Sequence, residues 1–116
     1  FIHCVQNTEG WQLDDAVQAA MPENATIVNK PTFGSTELVK IIGEYVAQYG
    51  EPNIHMEIVG LCTDICVVSN ALIEKAFYPE MPITLDASCC AGVTPATHDA
   101  AIATMRMCQI NVINAD

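Results

Sequence analysis

Positive charge is scarce in this chain. Lys30, Lys40, Lys75 and Arg106 are its only cations, against 14 Asp and Glu, for a formal charge of −10 over 116 residues. Such a surface repels a phosphate backbone, so no nucleic-acid partner is expected. The acidity itself reads as a solubility feature. No apolar run approaches the length of a membrane span, and no membrane partner is expected either. Internal repeats, low-complexity tracts and linkers are missing too, and the length suits one domain. No signal-peptide pattern is visible in these residues.

What is present is apolar. Hydrophobic residues make up 51% of the chain, enough to bury a core without covalent staples. The six cysteines are therefore read as reduced thiols in a cytoplasmic protein rather than as a disulfide framework.

Short β-type runs alternate with helical ones. Ala25 to Asn29 is a β-branched run ending at Lys30. Pro31 to Gly34 breaks it, and Ser35 or Thr36 can cap a helix whose apolar positions are Leu38, Ile41, Ile42, Tyr45 and Val46. Gly50 suits its end. Asn53 to Gly60 alternates like a strand. Ile65 to Phe77 then reads as a helix with an apolar face of Val68, Leu72 and Ala76. Ile83 to Ser88 is a further strand, Cys90 to Pro95 a loop, Ala96 to Cys108 a helix, and Gln109 to Asn114 a closing strand. The order βαβαβαβ predicts a parallel sheet covered by helices, with the strand C-termini on one edge where ligands bind. Before Ala25, only Asp14 to Ala20 looks helical.

Two chemically useful groups fall at predicted strand ends: Lys30, and the turn Cys62-Thr63-Asp64-Ile65-Cys66. With Thr63 or Asp64 as N-cap, Cys66 lies in the first turn of its helix. The N–H groups there favour negative charge on sulfur and can also bind an oxyanion. The spacing leaves a plainer reading open, because a cysteine at a helix start is more often a small buried hydrophobe. Cys62 and Cys66 as a metal pair lack a matching Cys/His pair. Cys89 and Cys90 read as reduced and structural. His55 reads as a half-buried sheet residue, His98 as a cap or surface group, and His3, beside Cys4, as a group that a ligand could use.

The turn and its surroundings carry a resemblance. Gly60 to Val67 (GLCTDICV), with Ala71 in the same helix, resembles the G-x-x-T-D-x-C-V motif of the isochorismatase-like cysteine hydrolases, of which nicotinamidases are members. The strand ending in Lys30, the Asp86-Ala87 pair and the Thr94 to Met105 helix resemble further family segments in the same order. His3-Cys4 followed by Thr8-Glu9-Gly10 resembles the nicotinamidase H-C-x-x-G-T-x-G segment, with Asn7 in place of its first glycine. The resemblance implies a three-layer αβα fold with a Rossmann-like, mostly parallel sheet. It also implies a covalent amidase mechanism. Cys66 is then the nucleophile, Lys30 stabilises its thiolate, and the backbone N–H groups of Cys62 and Cys66 form an oxyanion hole shaped by a cis Leu61–Cys62 peptide. His3 becomes a ligand of one divalent metal (Zn, Fe or Mn), and Phe33 either walls the substrate pocket or packs in the core. A small amide such as nicotinamide is the implied substrate, and a homo-oligomer the implied assembly. Two alternatives stand beside this: another small amide or N-carbamoyl substrate, and a non-catalytic oligomerisation subunit of the same fold.

The sequence also departs from the family. The family's catalytic Asp, on a first strand, and its D-x-H metal segment have no counterpart here, and neither Asp64 nor Asp86 is a sound substitute. The expectation is that residues 1–116 are the C-terminal part of a longer domain and inactive by themselves.

Overall fold

Parallel strands form where β-branched and apolar residues cluster between helices. In a computed structural model that describes residues 2–116, they are β1 (Met56–Leu61), β2 (Ile83–Ala91) and β3 (Asn111–Ile113). Their spatial order is β1-β2-β3 and both pairings are parallel. The helices are α1 (Asp15–Ala20), α2 (Thr36–Tyr49), α3 (Val68–Phe77) and α4 (Pro95–Met107). This is the α/β architecture with a parallel sheet that the pattern predicts.

Local chemistry sets the helix ends. The Asp14 carboxylate accepts from the Ala16 N–H and starts α1. Ser35 Oγ accepts from the Leu38 N–H to start α2, which stops at Gly50 with φ +86°, a conformation glycine adopts without a Cβ clash. Thr94 and Thr97 form a reciprocal capping box over α4, with Pro95 in its first turn. Thr94→Ala removes that cap and is expected to cost about 1 kcal/mol in urea unfolding.

The core lies where α3 and α4 meet the sheet. Met81, Ile83, Leu85, Met105, Ala71, Ala101, Ile102 and Ile110 are buried together. In β2, the consecutive residues Ile83, Thr84 and Leu85 are all buried, which is what a central strand covered on both faces requires. Edge strand β1 alternates between half-buried and exposed positions.

Several expectations change. Ala25 to Asn29 is extended but belongs to no strand, so the sheet of the described residues has three strands, not four. Strand β2 runs on to Ala91, which places Cys89 and Cys90 in the strand rather than in a loop. It does so by bulging: the register jumps from Ile58↔Leu85 to Gly60↔Cys90. The Asp86 carboxylate, accepting from the Ser88 N–H and hydroxyl, folds the chain inside that bulge. On α3 the fully buried positions are Ala71 and Glu74, with Val67 just before them; Ala76 is exposed. On α2, Val39 is the buried residue, and Tyr45 is 49% exposed.

Candidate active site

The turn between β1 and α3 is built differently from a capped α-helix. The Leu61–Cys62 peptide is cis. Residues Thr63–Val67 then form one π-helical turn before α3 begins. The Cys62 carbonyl accepts from the N–H groups of Ile65 at 3.1 Å and Val67 at 3.0 Å, the two that flank Cys66. Neither Thr63 nor Asp64 caps the helix. Cys62 holds the N-cap position, without a side-chain cap bond. The wider π turn leaves both predicted cap residues aimed at α4 instead.

Those two residues clasp the turn from behind. Thr63 is fully buried, and its hydroxyl meets His98 Nδ1 at 2.7 Å. The Asp64 carboxylate accepts from the Val93 N–H at 3.0 Å. The Thr97 hydroxyl, and after it the Val93 N–H, holds the Asp64 carboxyl below the usual range. Gly92 makes the clasp fit, since a Cβ there would lie 2.8 Å from His98 Cβ. His98 is thus neither a cap nor a free surface group. His55 stands just before β1 and its Nε2 meets the Thr84 hydroxyl at 2.7 Å.

In front of the turn, Lys30 Nζ donates to Cys66 Sγ at 3.4 Å and to the Thr32 carbonyl at 3.3 Å. Lys30 and Cys66 are 36 positions apart in sequence, and topology alone implied only a shared sheet edge. Around them opens a cavity of about 490 Å³ lined by His3, Cys4, Lys30, Thr32, Phe33 and Cys66 among others. Phe33 is 59% exposed and faces this cavity as a wall, not the core. All six cysteines are free thiols. Asp86 is engaged by Ser88 and by the Asn114 amide at 3.2 Å, and Asp64 by Val93. Neither carboxylate is directed to Cys66.

His3 is the one candidate metal ligand the sequence supplied. No group of three or more His, Cys, Asp or Glu among the described residues is placed to hold an ion, and a catalytic zinc needs about three protein ligands. The described residues do not make a metal site by themselves.

Asn70 is the site residue that sequence reasoning missed. One turn after Cys66, its Nδ2 donates to the Cys66 carbonyl at 2.8 Å and to the Phe33 carbonyl at 3.0 Å. Its Oδ1 accepts from the Ser35 N–H at 2.8 Å. The four-residue spacing from Cys66 is a legible helical neighbour relation. Its partners at Phe33 and Ser35 are not legible, because they depend on how the loop after Lys30 returns.

The isochorismatase domain profile matches residues 2–116. Among solved structures, the nicotinamidase of Bacillus subtilis superposes with a TM-score of 0.77 at 21% identity, over 96% of this chain and 62% of that one. The pyrazinamidase of Pyrococcus horikoshii, in complex with zinc, gives 0.71 at 24% identity, over 97% and 61%. An isochorismatase family protein of Desulfovibrio vulgaris gives 0.74 at 19% identity, over 95% and 54%. The chain thus spans about three fifths or less of the length of these neighbours. A comparison with curated protein sequences finds no significant match.

Proposed function

The chain belongs to the isochorismatase family, and from that premise we propose that it carries the nucleophile of a cysteine amidohydrolase acting on a small amide of the nicotinamide kind. The observation that supports this most is the Lys30 ammonium 3.4 Å from Cys66 Sγ, at a cavity mouth and beside a helix start. A cation at hydrogen-bond distance stabilises a thiolate, the reactive form of cysteine.

In this reading the Cys66 thiolate attacks the amide carbonyl and forms a C–S bond. The oxygen takes the negative charge in reach of the Cys62 and Cys66 N–H groups. Collapse breaks the C–N bond, and the nitrogen, taking a proton from solvent water, leaves as ammonia. Water then cleaves the thioester, giving the carboxylic acid and free Cys66. Lys30 holds the sulfur's charge before attack and after release. Phe33 and Thr32 wall the acyl portion of the substrate. His3 would be one ligand of a divalent ion whose other ligands are not among the described residues, a reading supported by the zinc complex of the Pyrococcus horikoshii neighbour.

Ammonia release by the full-length protein from nicotinamide and from N-carbamoyl compounds, together with the mass of the quenched protein, tests the proposal. The expected outcome is release, with a transient mass increase equal to the acyl group mapped to Cys66. Release from N-carbamoyl compounds alone would keep the mechanism and change the substrate. No release from either, and no adduct, sinks the amidase reading.

A further inference from the structure

Lys30 reaches Cys66 from a segment with no ladder of its own. Residues 25–30 belong to no strand among the described residues, yet Lys30 Nζ sits at a defined 3.4 Å from Sγ. Among the described residues, side-chain contacts and not a ladder fix that distance. We infer that Asn70 is the positioning residue that does so, an inference that rests on reading Lys30 and Cys66 as a working pair.

The loop after Lys30 is tied into one block. Lys30 Nζ donates to the Thr32 carbonyl, and the Thr32 hydroxyl donates to the Gly34 carbonyl at 2.7 Å. Asn70 grips this block at two backbone groups, the Phe33 carbonyl and the Ser35 N–H, and grips the nucleophile residue at a third, the Cys66 carbonyl. One planar amide thereby spans both halves of the pair. Its polarity matches each contact, with Nδ2 on the two carbonyls and Oδ1 on the N–H. The loop also lies directly on α3, where a Cβ at Gly34 would meet Ser69 Cβ at 3.7 Å.

A purely structural asparagine would satisfy the same backbone groups, so the test must read the Lys30–Cys66 relation itself. Alkylation of Cys66 by iodoacetamide does so, followed by peptide mass spectrometry because the chain has six cysteines. Lys30→Met and Asn70→Ala are each expected to slow it roughly tenfold, and the double variant to be no slower than Lys30→Met alone. Asn70→Asp keeps an acceptor for the Ser35 N–H but turns a carboxylate oxygen on two carbonyls. It is expected to lose rate as Asn70→Ala does, and serves if the alanine variant does not fold. An unchanged rate in the Asn70 variants, or an equal loss when they are added to Lys30→Met, overturns the inference. No amide substrate enters this readout, so an absence of turnover counts against the amidase reading alone.

Discussion

Cys66→Ala is expected to remove amide turnover by a factor on the order of 10⁴ or more, the scale seen when a covalent nucleophile is deleted. The loss should fall on kcat. Phe33, Thr32 and His3 also line the cavity, and the alanine leaves them in place. Folding should be little affected, because Cys66 is half-buried and the hydrogen bond its carbonyl accepts from Asn70 belongs to the backbone. The transient acyl mass should vanish together with turnover. Steady-state ammonia release from the purified full-length variant and parent, with thermal melts alongside, makes the comparison. Turnover surviving in Cys66→Ala would remove the thiolate from the mechanism. Turnover lost together with a collapsed melting transition would point to folding as the cause.

The turn at Cys66 was legible in the sequence because its signal is local. Gly60, Cys62, Thr63, Asp64 and Cys66 stand at fixed spacing within eight residues, and hydrophobic alternation marks the strand before them. The α2 helix was legible for the same reason, since Ser35 and Gly50 act within a turn of themselves. What failed depended on partners far away. Ala25 to Asn29 has strand composition, but a strand exists only when a neighbour supplies a ladder. The roles of Thr63 and Asp64 reversed because the turn is π-helical, which hands their side chains to His98 and Val93. The buried stripe of α3 was misplaced by about a third of a turn because it contains Glu74, and a charged residue argues against burial in any sequence reading. Lys30 was found through the end of a β-type run that forms no strand among the described residues, and its contact with Cys66 also involves how the following loop, which Asn70 contacts, returns.

Glu74 carries the other large effect, and it concerns stability. The residue is 0% exposed, and neither carboxylate oxygen has a hydrogen-bond partner. Burial pushes its carboxyl up to about 7 from 4.5. Nearby, the Tyr78 hydroxyl donates to the Val39 carbonyl at 2.8 Å. Its own acidity is reduced first by burial, then by the charges of Glu74 and Glu51. Between pH 4.5 and about 7 the folded chain keeps the Glu74 proton, while the unfolded chain gives it up. The unfolded state therefore binds fewer protons, and stability falls as pH rises through that window. The full loss is about 3 kcal/mol, complete above the folded value and absent below the unfolded one. Glu74→Gln removes the titration and keeps the shape. Its buried amide brings a desolvation cost of its own, about 1–3 kcal/mol, but one that does not vary with pH. Urea unfolding of both proteins from pH 4.5 to 8 should show the parent weakening relative to Glu74→Gln across the window, then a constant difference. Parallel stability curves for the two proteins would mean that Glu74 ionises without cost in the folded chain, and its burial would then need another explanation.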